Sequence, residues 1–132
     1  MTDEKQIVFD TILAQAEAIM RRWYQGDPFG WLDGMAEEMT YFSPFEKSRV
    51  DGKSAIEALI APIEGEIHAP KFEILNPRLQ LGEEIAVFTF HLSEFDEDGA
   101  QTVGWKVTEI YRHLDDKWRL IHWHFSMIGE NQ

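Results

Sequence analysis

Glu109 is the residue of this chain whose surroundings point most directly to chemistry. It lies in the segment VGWKVTEIYRHLDDKWRLIHWHFS (residues 103–126), where alternating side chains rich in Val, Ile, Thr, Tyr and Trp predict two strands joined by a turn. A carboxylate on an aromatic face is costly to ionise, so its pKa rises and it suits a general acid or base. The alternative is a glutamate at the rim of the sheet, or one paired with Arg119.

The length of the turn decides which way Glu109 points. A three-residue loop at residues 114–116 places Glu109 opposite Ile121 and Tyr111 opposite Arg119. The face around Glu109 then carries Trp105, Val107, Tyr111, Ile121, Trp123 and Phe125. The other face carries Lys106, Thr108, Ile110, Arg112, Trp118, Leu120, His122 and His124. A loop of two or four residues would set Glu109 beside His122 instead, and the three-residue loop is preferred because it gathers the aromatic side chains on one face.

His91 is the second candidate for acid–base chemistry. It lies in IAVFTFHLSEF (residues 85–95), a run that is apolar on both faces and therefore predicts a central strand. If the following loop comprises residues 97–99, with Gly99 in the left-handed conformation, His91 lies opposite Trp105 on the face of Glu109. There it could bind a ligand or shuttle a proton, roughly 13 Å along the sheet from Glu109. The alternative is a core histidine bonded to the backbone.

Aromatic side chains could form the walls of a pocket around these groups, although core packing is their commoner use. The predicted ligand-binding residues are Trp23, Tyr24, Trp31, Tyr41, Trp105, Tyr111, Trp123 and Phe125. His122 and His124, two apart on one strand, have metal-ligand spacing, but no third ligand is apparent on their face. No metal site and no cofactor is therefore predicted.

Three helices are predicted to precede the strands and to pack against them. The first spans residues 3–25, is capped by Thr2 or Asp3 and stops at Gly26. Its apolar stripe is Val8, Ile12, Ala16, Ile19 and Trp23. The second begins at Asp27-Pro28, and the third opens at Gly52-Lys53-Ser54 after a short strand at residues 39–44.

Everything from Lys71 onward predicts strands, with Pro77 marking a bulge or a sheet edge. The element order therefore predicts an α+β fold, in which three N-terminal helices pack on a strongly curved antiparallel sheet. A length of 132 residues suits one domain, residues 1–132.

Composition narrows the range of partners. Twelve Lys and Arg against 24 Asp and Glu give a net charge of −12, which repels nucleic acid and anionic membranes. The absence of cysteine excludes disulfides and thiol chemistry. The acidic N-terminus does not have the features of a signal peptide, and no apolar run reaches membrane-spanning length, so a cytoplasmic protein is expected.

Several segments together resemble the SnoaL-like group of the nuclear transport factor 2-like superfamily, within it most of all the association domain of calcium/calmodulin-dependent protein kinase II. The segments that carry the resemblance are GD at 26–27, MTYFSPFE at 39–46, DGKS at 51–54, ILNPRLQLGEEIAVFTF at 74–90 and WKVTEIYRHLDDKWRLIHWHFS at 105–126. The resemblance implies a cone-shaped fold with a deep pocket between sheet and helices, and usually a dimer. The superfamily includes ketosteroid isomerase, scytalone dehydratase, limonene epoxide hydrolase and polyketide cyclases beside binding and assembly modules, so fold does not settle function.

The chain departs from the association domain in its pocket. That domain holds small carboxylates with arginines, and at the matching positions this chain has His91, Glu109 and Phe125. Three hypotheses follow: a domain that binds a small, largely apolar molecule, an isomerase, dehydratase or cyclase that uses Glu109 as base, or an assembly module. A homodimer is expected through the face that carries Thr108, Ile110, Leu120, His122 and His124, because that face is too apolar to leave in water.

Overall fold

The computed structural model describes residues 2–128 and has the predicted α+β architecture, with helices packed on a curved six-stranded sheet. The helices are α1 (Asp3–Trp23), α2 (Phe29–Gly34) and α3 (Lys53–Ile60), and a 3-10 turn (Ala61–Ile63) follows α3. The strands are β1 (Met35–Phe42), β2 (Val50–Asp51), β3 (Lys71–Leu81), β4 (Ile85–Phe95), β5 (Gln101–Leu114) and β6 (Lys117–Met127). No helix in this described range is long and apolar enough to cross a membrane.

Helix α1 forms where the sequence predicts it. The Thr2 side chain caps its first turn by accepting a hydrogen bond from the Lys5 amide at 3.1 Å. The predicted apolar stripe is buried from Val8 to Ile19, while Trp23 is only partly buried. Gly26, at φ +88°, ends the helical path in a conformation that favours glycine.

The sheet has the strand order β2-β1-β6-β5-β4-β3. Strands β3 to β6 form the predicted antiparallel meander, with β3 at one edge and a register irregularity around Asn76 and Pro77. Strand β1 pairs in parallel with β6, whereas the prediction was a wholly antiparallel sheet. This pairing sets Tyr41 beside Trp123 and is decided by the folded chain, because the two strands are far apart in the sequence.

The β4–β5 hairpin has the predicted loop but not the predicted register. The Asp96 amide donates to the Ala100 carbonyl at 2.9 Å, and Gly99 is left-handed at φ +83°. The register then shifts by one residue at Thr102, a β-bulge that makes His91 the partner of Lys106. The prediction that His91 faces the aromatic side chains is therefore wrong: it is exposed on the outer face.

The β5–β6 hairpin differs from its predicted register at two points. Its turn has two residues, Asp115 at φ +51° and Asp116 at φ +62°, instead of three. A bulge at Ile121 then shifts the register again, so that Glu109 lies opposite Trp123. The two irregularities cancel beyond the bulge, and Glu109 faces inward as predicted, although with a different partner.

Between the turn and the bulge, the faces of β6 are the reverse of the prediction. Leu120, assigned to the outer surface, is fully buried opposite Tyr111. Arg119, expected on the face of Glu109, pairs with Arg112 on the outer side. Leu120 therefore cannot belong to the proposed dimer surface.

Candidate functional site

A cleft with aromatic walls lies between α1, α2, the loop after β1 and the inner face of the sheet, and has a volume of about 180 Å³. We call it the aromatic cleft. Its lining residues are Met20, Trp23, Tyr24, Trp31, Tyr41, Pro44, Phe45, Ile67, Glu94, Trp105, Trp123 and Phe125. All the predicted ligand-binding residues except Tyr111 are in this lining.

The rings of the cleft support one another. Trp31 packs on Trp123 with ring centroids 3.7 Å apart, and Tyr41 stacks on the same indole at 4.2 Å. Phe125 meets Trp105 edge to face at 6.0 Å. One helix and three strands, α2, β1, β5 and β6, contribute rings to this cluster. The positions of the rings therefore depend on the packing of α2 against the sheet.

Glu94 on β4 is the charged group of the cleft. Its Oε2 accepts a hydrogen bond from the Tyr24 hydroxyl at 2.6 Å and another from the Trp105 indole N–H at 2.8 Å. The two donors come from α1 and β5, so the carboxylate is fixed by two separate elements. Burial of Tyr24 raises the pKa of its hydroxyl, and the hydrogen bond to Glu94 and the negative charge of Glu94 raise it further.

Sequence reasoning missed Glu94. It follows the buried Phe88, Phe90 and Leu92 at every second position of β4. Side chains at alternate positions of a strand share a face, so this spacing could have placed Glu94 on the inner face. The predicted hairpin register put His91 there instead, because the bulge at Thr102 leaves no local signal in the sequence.

Two indole N–H groups in the cleft walls are buried without a hydrogen-bond partner in the described part of the chain. They belong to Trp31 and Trp123, whose side chains are almost fully buried. An indole N–H can only donate, and both nitrogens are closed off from solvent by the surrounding core.

Glu109 lies in the core beside this wall, opposite Trp123, and is not part of the cleft lining. Its side chain is 0 % exposed, and its Oε1 accepts a hydrogen bond from the Tyr111 hydroxyl at 2.8 Å. Burial raises the pKa of Glu109 to about 7, and the Tyr111 hydrogen bond opposes this shift. Glu109 therefore faces inward, as predicted, but it does not line the cleft, and its role as a general acid or base stays a prediction.

Tyr111 is also fully buried, and its hydroxyl is engaged by Glu109. It supports the core and does not form a wall of the cleft as predicted, because the cleft lies over the other end of the β5–β6 pair.

His91, His122 and His124 lie on the other side of the sheet. His91 lines a separate groove with Asn76 and Lys106. His122 is half-buried, with Nδ1 2.8 Å from the Thr40 hydroxyl, and burial together with nearby His124 lowers its pKa. Within residues 2–128, no group of three His, Asp or Glu side chains is placed to hold a metal ion.

A larger groove of about 480 Å³ lies between β1 and the β5–β6 turn. Glu37, Glu38, Lys53, Asp115 and Arg119 contribute charged side chains to it. It opens on the surface without an aromatic wall, so the aromatic cleft is the better candidate for a small-molecule site.

The comparisons with known proteins agree with this architecture. A family model described as a SnoaL-like domain matches residues 12–130. No curated protein matches the chain.

Among solved structures, the chain is similar to a putative ketosteroid isomerase from Parabacteroides distasonis, with 22% identity over 92% of this chain and 88% of that chain and a TM-score of 0.79. It is similar to a nuclear transport factor 2-like protein of unknown function from Pseudomonas putida, with 22% identity over 92% and 87% of the two chains and a TM-score of 0.79. The association domain of calcium/calmodulin-dependent protein kinase II from C. elegans is 18% identical over 95% of this chain and 99% of that chain, with a TM-score of 0.76. Likeness at these identities shows a fold shared with a nuclear transport factor 2-like protein, and the family model establishes that the chain belongs to the SnoaL-like family.

Proposed function

We propose that this chain is a small-molecule-binding SnoaL-like domain whose ligand lies in the aromatic cleft. The observation that carries the proposal is a concave site with aromatic walls and a carboxylate, Glu94, fixed by two hydrogen bonds. Binding sites for small molecules commonly combine apolar walls with a few well-placed polar groups.

The size of the cleft limits the ligand. Its volume of about 180 Å³ is only slightly larger than the roughly 150 Å³ of an engineered apolar cavity that binds benzene. We therefore expect a compact, largely apolar molecule, about the size of one substituted ring, that carries a polar group.

Phe45 offers a test that leaves the core intact. Its ring lines the cleft and meets Trp105 edge to face at 6.3 Å, yet 75% of the residue is exposed. We expect Phe45→Ala to weaken binding of the neutral probe cyclohexanol by about fivefold, the equivalent of about 1 kcal/mol of lost ring contact, with unfolding unchanged. The measurement is an NMR titration that follows the indole N–H signals of Trp105 and Trp123.

The control is Ile7→Ala, which shortens another largely exposed apolar side chain, on α1, that does not line the cleft. It should bind cyclohexanol as the unaltered protein does. If no indole signal of the unaltered protein moves, and native mass spectrometry of the purified protein finds no retained molecule, the binding proposal is wrong.

A second candidate function is an isomerase, dehydratase or cyclase reaction with Glu109 as general base. It is favoured by the raised pKa of Glu109, about 7, because a base that titrates near neutral pH transfers protons efficiently. Its Oε2 is also buried without a partner in the described residues. A substrate would have to reach it past Trp123. For any compound that the cleft turns over, Glu109→Gln should keep binding and lose turnover, and retained turnover would contradict this candidate.

We also propose that the domain forms a homodimer through the outer face of β5 and β6. Thr108, Ile110 and His122 are only partly exposed there, and His124 and Phe42 extend the same surface, with their rings 5.3 Å apart. Leu120, once expected in this surface, is excluded because it is buried in the core.

A further inference from the structure

Glu94 differs from Asp27, another partly exposed carboxylate, in the partners that it has. The Asp27 carboxylate lies 2.7 Å from the Arg22 guanidinium. Glu94 instead has two neutral donors, the Tyr24 hydroxyl and the Trp105 indole N–H. Both donate to Oε2. Oε1 accepts no hydrogen bond from the described part of the chain and is available to a ligand.

No cationic side chain of the described residues supplies that partner. The lining of the aromatic cleft contains no Lys, Arg or His. Lys71, on the neighbouring strand β3, is occupied elsewhere: its Nζ lies 3.1 Å from Glu73 and 5.0 Å from the centre of the Phe95 ring. A partly buried carboxylate that is compensated only by neutral groups gains most from an external cation.

The walls around Glu94 also favour a positive charge. Aromatic rings attract cations through their electron-rich faces, and Trp does so most strongly. Trp105 and Tyr24 contact the carboxylate directly, and Trp23 also belongs to the lining. The net charge of −12 adds a long-range attraction for cations and a repulsion of anions.

We infer that the aromatic cleft takes a small organic ammonium ion, with its charge against Glu94 and its apolar substituents against the rings. This inference rests on the proposed binding function and names the chemical class of the ligand.

The test compares two probes of the same shape. Choline carries a trimethylammonium group, and 3,3-dimethylbutan-1-ol carries a neutral tert-butyl group in its place. We expect choline to bind at least about tenfold more tightly, as measured by NMR titration of the Trp105 indole N–H signal. Glu94→Gln keeps an acceptor oxygen for Tyr24 and Trp105, and should remove the advantage of choline over the alcohol.

Glu97→Gln is the matched control, because it makes the same change of net charge at an exposed residue of the β4–β5 loop. It should leave both affinities as they are. If Glu94→Gln does not fold, the affinities of choline and the alcohol for the unaltered protein still show whether the cleft prefers a cation.

Equal affinity for the two probes, or tighter binding of the alcohol, would overturn the inference and leave the binding function standing. Binding of cyclohexanol without binding of choline would do the same. If choline, the alcohol and cyclohexanol all fail to bind, the binding function and this inference fail together.

Discussion

The pKa of Glu109 is set by the apolar surroundings of its side chain. Its carboxyl group is 0 % exposed, faces the Trp123 indole across the strand pair and has one hydrogen-bond donor, the Tyr111 hydroxyl. Burial in an apolar environment disfavours the charged form, so its pKa rises from 4.5 to about 7. A group of this kind changes its charge near neutral pH and makes the stability of the protein depend on pH.

The sign of that dependence follows from the two pKa values of Glu109. In the unfolded chain it ionises near 4.5, and in the folded protein near 7. Between these values the folded protein holds a proton that the unfolded chain has released, so the free energy of unfolding falls as the pH rises. We expect Glu109 to contribute its full stability below pH 4.5 and to lose about 3 kcal/mol of it by pH 7. Urea unfolding across this range measures the slope.

In Glu109→Gln this part of the slope should disappear, since the amide does not titrate. The control Glu57→Gln changes an exposed carboxylate on α3 and should leave the slope intact. A carboxyl-carbon NMR titration of Glu109 that gives an unshifted pKa would refute the assignment.

At the scale of elements, two hairpins with β-bulges aim the side chains of the site. The bulge at Thr102 brings Glu94, rather than His91, to the inner face. The bulge at Ile121 compensates for the two-residue turn and returns Trp123 and Phe125 to the cleft. A bulge of one residue reverses the facing of every residue beyond it, so these two positions decide the composition of the site.

The Asp115-Asp116 turn carries a conformational cost that can be measured. Asp116 has φ +62°, which is unfavourable for a residue with a Cβ atom, while glycine adopts it readily. We expect Asp116→Gly to raise the free energy of unfolding by up to about 1 kcal/mol in chemical denaturation.

The control is Asp98→Gly in the β4–β5 loop, because Asp98 is not among the described residues with positive φ. This change should leave stability equal or lower, since it only adds freedom to the unfolded chain. The turn assignment would be contradicted if Asp116→Gly were as destabilising as Asp98→Gly.

At the scale of the molecule, the sheet has one face covered by helices and another that is partly apolar. The outer face around Ile110, His122 and Phe42 is the surface that we propose for the homodimer. The ring centroids of Phe42 and His122 are 5.4 Å apart. Phe42 is nevertheless 43% exposed, so it can contact a partner subunit.

We expect the protein to sediment as a dimer at micromolar concentration, and Ile110→Lys to convert it to monomer, because the contact would otherwise bury an unpaired ammonium group. Ile7→Lys makes the same change on the exposed side of α1 and should leave the dimer intact. Sedimentation velocity separates monomer, dimer and larger rings, and a monomeric unaltered protein would rule out the proposed interface.

The sequence by itself determined the order of the helices and of the longer strands, and the identity of most of the aromatic wall. Helix α1 was predictable because its apolar stripe and its Thr2 cap are local features, and Gly99 was predictable because it needs a left-handed conformation. Trp105 and Trp123 were placed on the inner face for the same kind of reason, the alternation of side chains along a strand.

Only the tertiary structure decided which charged groups join those rings. The bulges at Thr102 and Ile121 set the register of both hairpins, and neither residue type marks a bulge in the sequence. The parallel pairing of β1 with β6, which brings Tyr41 onto Trp123, depends on contacts between distant parts of the chain. Glu94 rather than His91 therefore faces the cleft, because non-local packing selects the register in which local alternation is expressed.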